Sequence, residues 1–361
     1  MKKRDDYIWH ANSDAAKFID DYFSKSGNIL YIGSIGFDPR TLTTYRRLKE
    51  SAGDKVKPFF LLEERKEGSA ALKDRAWKRE QSLPDELGFK PKICRVPIFA
   101  EDGAPIGGSE LIRVAIAEFP DITDFTDIVI DICAISRGIF FPLTRYFRDI
   151  IRESGKPISL HILVVDQPAV DYSYIPEYYD SAGWMRGFDG GAGQLSKNSK
   201  AVKLWMPQLM SQRKTVYETL YKFVNPQDVC PVLPFPGIKA KMVDELVIEY
   251  NDYITSTWDT ALQNIVLAAE SDPLDMYHTV VRVDAARKKI FENSFTVLSP
   301  MGSKVSTIGG LLAAMDLNLP VAYVETIGYS ENKRMESLDL PNEERLVHVW
   351  VDGPVYNSEN L

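Results

Sequence analysis

The chain has 361 residues, of which 45% are hydrophobic and 26% charged, and a formal net charge of -8. That is ordinary globular composition, with enough length for two domains and sizeable cores. The acidic excess lies in the second half, so a broad basic surface for duplex DNA is not indicated, and no apolar run is long enough to span a bilayer.

The first residues, MKKRDDYIWHANSD, carry charges but no apolar core, and so do not read as a secretory signal. A helix is expected over 14–24, with Phe18, Tyr22 and Phe23 on one side and Ser26-Gly27 as its stop. A buried strand over 29–32 enters a glycine-containing loop, 33–40, before a helix over 41–50. Strands over 56–62 and 93–99 and helices over 70–81 and 109–118 follow. The basic run 65–79, with Trp77, also contains Glu67 and Asp74 and reads as a solvated helix face. The segment TDIVIDI, 126–132, is near-continuously apolar, as in a strand buried on both faces of a parallel sheet. Asp131 within it needs a hydrogen bond, a cation or solvent near the strand end, and Arg137 is a reasonable partner. A helix over 139–154 and a strand over 158–165 complete an alternating strand–helix half, which predicts a doubly wound α/β domain. His161 in that last strand reads as a satisfied core histidine.

Residues 167–200 break the alternation with tyrosine, glycine, aspartate and serine. This stretch is too aromatic for a solvated tether, and its rings are expected to pack on the protein. Beyond it a strand over 229–233 enters a Pro-Phe-Pro-Gly loop and a helix around Met242 to Val247. Helix is expected over 257–269 and 285–292, and extended chain over 275–283. The run 295–298 is then a strand, Ser299 to Lys304 a loop, 305–315 a helix and 321–324 a strand. A last strand covers 345–351. The domain division that follows is 1–168, a connecting segment 169–226 with a helix, and 227–361.

The halves repeat one order. NILYIGSIGFDPRTL matches VCPVLPFPGIKAKMV, and TDIVIDICAISRGIFF matches NSFTVLSPMGSKVSTI: strand, loop with a basic residue, helix. The fold class expected is two Rossmann-like α/β domains with parallel-rich sheets and an internal duplication, whose loop pairs can share one cleft. The loop Ser299 to Lys304 lies between a strand's carboxyl end and a helix's amino end. Backbone N–H groups and the helix dipole favour an anion there. Gly302 permits close backbone approach, and Lys304 adds charge.

These loops carry a resemblance. Two Rossmann-like halves with Ser299, Gly302, Ser303 and Lys304 after a late strand, and Ser136, Arg137 and Gly138 at the matching place, resemble CARF and SAVED domains of antiviral signalling. The resemblance implies a cyclic oligonucleotide or other nucleotide ligand. With no appended effector domain in the sequence, it also implies a sensor or adaptor acting with a separately encoded protein.

Two rival readings stand beside it. Gly33 and Gly36 follow the first strand, and Glu63 ends the next, where a Rossmann acid meets ribose hydroxyls. That pattern, with Asp38 and Arg40 in the loop, suits an enzyme using S-adenosylmethionine or a nucleotide. It lacks one glycine of G-x-G-x-x-G, and a turn with exposed acids also explains it. Candidate general bases are Asp38, Asp131, Asp166 and Asp284. The other rival is a protein-binding adaptor. Cys94, Cys133 and Cys230 have no metal-ligand spacing and the four histidines form no paired motif, so no metal and no particular cofactor are expected, in a reducing, cytoplasmic setting.

Overall fold

The computed structural model describes residues 6–190, 202–260, 264–333 and 340–356. The chain divides into two compact units, Tyr7–Glu177 with Thr326–Leu361, and Tyr178–Glu325 with the stretch up to Asp6. It passes from one to the other within a strand that begins at Tyr174 and returns within one that ends at Glu331.

In the first unit β1 (Ile8–Ala11) leads into α1 (Asn12–Phe18) and a π-turn, Ile19–Phe23. There follow β2 (Ile29–Ser34), α2 (Thr43–Ala52), β3 (Val56–Glu64), α3 (Ala70–Leu87), β4 (Lys92–Pro97), α4 (Gly107–Glu118), β5 (Asp127–Asp131), α5 (Arg137–Ser154), β6 (Ser159–Asp166) and α6 (Pro168–Asp171). From the far end of the chain comes β14 (Arg345–Asp352). One sheet runs β1-β14-β6-β5-β2-β3-β4. Its members from β6 to β4 are parallel, while β14 runs antiparallel to both its neighbours, β6 and β1. Every residue of β2, β5 and β6 is buried, which is why those segments read as continuous apolar runs. Ile19, Phe23, Tyr31, Leu48, Phe60 and Val129 belong to the core on one face. The helix stop at Gly155 has φ +63°, the left-handed conformation that glycine adopts without a Cβ penalty.

The second unit contains the end of β7 (Tyr174–Trp184), then β8 (Val202–Pro207), α7 (Lys214–Val224), β9 (Asp228–Val229), β10 (Val232–Pro234), α8 (Met242–Glu249), β11 (Val266–Ala268), α9 (Pro273–Ile290), β12 (Ser294–Ser299), α10 (Lys304–Leu317) and the start of β13 (Ala322–Glu331). Parallel ladders join β12, β8 and β9, and β10 with β11. Parallel bridges at Gln208–Val232 and Leu298–Val321 extend the order to β11-β10-β8-β12-β13. Counted within the unit, that is 3-2-1-4-5, and β4-β3-β2-β5-β6 of the first unit is the same order. Both are doubly wound α/β arrangements with a reversal between first and fourth strands. A Cβ on Gly309 would lie 2.0 Å from the Pro273 carbonyl, so only glycine lets α10 and α9 approach this closely.

Several expectations change. Residues 275–283, expected to be extended, lie in the 18-residue helix α9. Asp272 caps it, accepting N–H bonds from Leu274 and Asp275 with Pro273 at the first turn, and this end signal outweighs the β-branched residues inside. Helix expected over 257–269 is instead a π-turn ending at Thr257 and the strand β11, with 261–263 outside the described residues. The second unit starts its sheet at β8, inside the segment read as a connector, so VCPVLPFP corresponds to a second strand and not to the first. The strand over 345–351 joins the first unit's sheet, between β1 and β6, and so the division by sequence order does not hold for the C-terminal stretch. The part of the glycine-rich segment at 191–200 lies outside the described residues.

Candidate functional site

In each unit the first and fourth strands are neighbours whose onward connections leave in opposite directions. Their carboxyl ends therefore open a crevice, the usual ligand position on such sheets. The two crevices are built from different chemistry.

In the second unit the crevice lies beyond β8 and β12. A cavity of about 20 Å³ sits there, with Gln208, Met210, Leu233, Glu270, Gly302 and Ser303 in its wall. This is room for about one water, which needs roughly 10–15 Å³. Ser303 caps α10: its hydroxyl accepts the Ser306 N–H at 3.2 Å and donates to the Glu270 carbonyl at 2.9 Å. The Gly302 N–H donates to Gln208 Oε1 at 3.2 Å. A Cβ on Gly302 would stand 2.6 Å from Ser306 Oγ and 3.1 Å from Gln208 Oε1, so a larger residue there would push these two side chains aside. Glu270 is buried, and its Oε2 accepts the Ile238 N–H at 3.0 Å. Lys304 is the first residue of α10, partly buried, where the helix dipole disfavours a cation. Ser299 is set deeper. Its hydroxyl accepts from the Trp205 indole N–H at 2.9 Å and donates to the Ala322 carbonyl at 3.0 Å, so it ties strands together and does not face the crevice. Gln208 and Glu270 are wall residues that the sequence reading missed. Only the position of Gln208 after an apolar strand, had β8 been recognised, could have pointed to it.

In the first unit the crevice lies beyond β2 and β5. Gly33 belongs to β2, and a Cβ there would lie 2.9 Å from the Tyr31 ring. Gly36 follows in the loop, with nothing within 4 Å of the place a Cβ would take. Asp38 and Arg40 form a closed knot. Arg40 donates Nε–H to Asp38 Oδ1 at 3.0 Å, Nη2–H to Asp38 Oδ2 at 2.8 Å and to Asp171 Oδ1 at 2.6 Å, and Nη1–H to the Val165 carbonyl at 3.2 Å. Burial opposes the Arg40 charge, but the hydrogen bonds to Asp38 and the charges of Asp171 and Asp38 outweigh it and raise its pKa. Glu63 reaches the amino end of α5: its Oε1 accepts the Ser136 N–H at 2.7 Å, and its Oε2 accepts from Arg65 at 2.6 Å. Arg65 also donates to the Thr326 carbonyl. Gly138 is buried in the first turn of α5, while Ser136 and Arg137 are partly buried.

Of the partners expected for Asp131, hydrogen bonds are found and the Arg137 pairing is corrected. The Asp131 carboxyl group accepts from Tyr31 Oη at 2.6 Å, Thr44 Oγ1 at 2.5 Å and the Cys133 N–H at 2.8 Å, not from Arg137. Burial raises its pKa against those three bonds. Asp284, another candidate base, accepts from Thr296 Oγ1 at 2.9 Å and pairs with Lys288 at 2.9 Å, on α9 and away from the cavity wall. Asp166 pairs with Arg345 at 3.6 Å. Among the described residues no three His, Cys, Asp or Glu side chains converge as a metal site, and no helix is long and apolar enough to cross a membrane.

No protein-family model matches the chain, and no curated protein matches it. Among solved structures it is similar to the NH3-dependent NAD synthetase of Campylobacter jejuni in complex with nitrate, at 14% identity and TM-score 0.20, over 40% of this chain and 53% of that one. It is also similar to the trans-2-enoyl-CoA reductase of Clostridium acetobutulicum, in complex with NAD (12% identity, TM-score 0.21, 81% and 66% of the two chains) and with NADH (12%, 0.22, 83% and 67%). The chain spans about half the length of the synthetase. At these TM-scores the likeness extends no further than mixed α/β architecture.

Proposed function

We propose that the protein is a ligand-binding sensor or adaptor whose second unit takes a nucleotide or other phosphate-containing ligand at the amino end of α10. The observation that carries this reading is the cavity at the β8–β12 reversal, walled by the Gly302 backbone, Ser303, Gln208 and Glu270. Backbone N–H groups and the dipole of a 14-residue helix suit a phosphate, and Lys304 adds a charge at the same helix end. The Glu270 carboxylate suits a hydroxyl donor such as a ribose. Gln208 holds the Gly302 N–H as a neutral acceptor that a phosphate oxygen can replace. The cavity has room for a water only, so binding requires its wall to open. The resemblance to CARF and SAVED domains adds the rest of the proposal: a cyclic oligonucleotide ligand, a separately encoded partner protein, and a cytoplasmic antiphage role.

The cofactor-enzyme reading is weaker on physical grounds. Both oxygens of Glu63 already accept charged or helix-end hydrogen bonds, and Arg40 is held by two aspartates. A ribose at Glu63 would have to displace those bonds. The test is native mass spectrometry of freshly purified protein, followed by titration with a panel of mononucleotides and cyclic oligonucleotides. Binding that Lys304→Ala weakens supports the proposal. Binding that Glu63→Ala weakens, with Lys304→Ala unchanged, supports the enzyme reading instead.

A further inference from the structure

Three of the four histidines stand in one line across the first unit's sheet, away from either crevice. His10 is on β1, His348 on β14 and His161 on β6, and the line ends at Asp127, the first residue of β5. His10 Nδ1 lies 3.0 Å from His348 Nδ1, His348 Nε2 lies 2.9 Å from His161 Nδ1, and His161 Nε2 lies 3.2 Å from Asp127 Oδ1. His161 and His348 are fully buried, while His10 is partly exposed. Phe18 stacks on both His10 and His348 and holds their rings in register.

With Asp127 ionised, the line admits one set of donors. His161 donates Nε2–H to Asp127, His348 donates Nε2–H to His161 Nδ1, and His10 donates Nδ1–H to His348 Nδ1. The acceptor nitrogen left over is His10 Nε2, at the partly exposed end. A proton arriving there can be matched by one N–H transfer at each contact. The product is a neutral Asp127 carboxyl donating to His161, with all three imidazoles neutral and every hydrogen bond reversed. One proton enters, one proton rests on Asp127, and no imidazole stays charged in the core.

We infer that His10, His348, His161 and Asp127 form a proton relay that couples the surface at β1 to the amino end of β5. The groups around it fit such a reversal. Tyr22, from the π-turn, donates to Asp127 Oδ1 at 2.9 Å and has Ser159 Oγ at 3.3 Å as an alternative acceptor. Thr126 donates to Asp127 Oδ2 at 2.6 Å, which leaves Oδ1 to exchange the relay proton. Asp14 of α1 is the charged group that acts on His10, and the two neighbouring imidazoles are those that act on His348. Burial holds all three imidazoles below the ordinary histidine pKa, consistent with neutral rings passing a proton on.

The experiment is long-range proton–nitrogen NMR of imidazole-labelled full-length protein, titrated from about pH 8 to about pH 2.5, through the histidine range and past the ordinary carboxyl range, because burial raises the Asp127 pKa but the hydrogen bonds and charge it meets at His161, with those from Thr126 and Tyr22, hold it below the usual value. His348 and His161 are expected to begin as Nε2–H tautomers and to convert to Nδ1–H at one shared midpoint, without either becoming imidazolium. Asp127→Asn is expected to abolish the shared conversion. His10→Gln keeps a hydrogen-bonding group at an edge strand but cannot pass a proton, and is expected to slow the conversion into separate resonances. Separate midpoints ending in imidazolium, tautomers that persist until the protein unfolds, or a conversion unaffected by His10→Gln would each overturn the relay.

Discussion

The amino ends of α5 and α10 hold the same place in the strand order of their units, yet the protein treats them differently. At α5 a carboxylate, Glu63, accepts the Ser136 N–H and is itself neutralised by Arg65. At α10 a neutral amide, Gln208, accepts the Gly302 N–H beside a cavity. A helix end that already holds an internal anion has little attraction left for an external one. At α10 the acceptor on Gly302 carries no charge, and the buried Glu270 carboxylate in the same wall is engaged by the Ile238 N–H. The difference teaches that residue types alone do not make a site: which side chain accepts the N–H at the helix end decides whether that acceptor carries a charge.

The largest expected effect is on the first side of this comparison. Arg40→Ala would leave Asp38 and Asp171 without their shared cation, Arg40 itself being only 2% exposed. Removing one member of a buried pair costs about 3–5 kcal/mol, so urea unfolding should show a loss of that order. A loss under about 1 kcal/mol, the value of an exposed pair, would mean that the knot is solvated and that Arg40 is available to a ligand. Gly302→Val comes next. Overpacking costs about 1–3 kcal/mol, and the denaturation midpoint should fall accordingly while ligand binding is lost. Gly36→Ala, where a Cβ meets open space, should change neither. If Gly302→Val melts like wild type, the tight loop is not what shapes the crevice.

Lys304→Ala should weaken ligand binding by roughly tenfold, since a charge-assisted hydrogen bond contributes about 1.5–3 kcal/mol and each 1.4 kcal/mol is about tenfold. Its melting is read beside the affinity, so that lost binding is told apart from lost folding. Arg137→Ala, at the matching place in the first unit, should leave affinity unchanged, and calorimetric titration of both variants would sharpen or break the contrast. The mildest perturbation is acid. His161 and His348 are buried with lowered pKa values, so they stay neutral in the folded state while the unfolded chain takes up protons below about pH 6.5. Their contribution is full above that pH and is lost as pH falls below it. The second unit's histidine, His278, is exposed. Hydrogen exchange at about pH 7.5 and about pH 5.5 should therefore show protection falling in the first unit first. Equal loss in both units would reject this assignment.

Much of the frame was legible in the sequence. The apolar runs that became β2, β5, β6 and β12 read correctly because parallel strands covered on both faces must be apolar throughout. Loop Ser299 to Lys304 was placed correctly, since Ser303 and Gly302 are residue types that a helix start and a tight approach demand. Strand β8 was not legible: LWMP follows a run of glycine, serine and lysine, and its partners are β9 and β12, the nearer of which begins some twenty residues on. Missing it shifted the comparison of halves by one strand. Helix α9 was obscured by Thr279, Val280, Val281 and Val283, although Asp272-Pro273 marked its start. The C-terminal strand could not be assigned from order alone, because its pairing with β6 crosses the whole second unit in sequence. The histidine line was invisible for the same reason: His10 and His348 are 338 positions apart.

The most direct test of the central claim is backbone-amide NMR of the wild-type protein titrated with the nucleotide panel, reading Gly302 to Ser306 and Ser136 to Gly138 in one experiment. The account predicts ligand-dependent shifts at Gly302, Ser303, Lys304 and Ser306, saturating at the affinity found by calorimetry, with the amides at the start of α5 unmoved. Shifts confined to Ser136, Arg137 and Gly138, or a nucleotide that binds while both sets stay still, would contradict it.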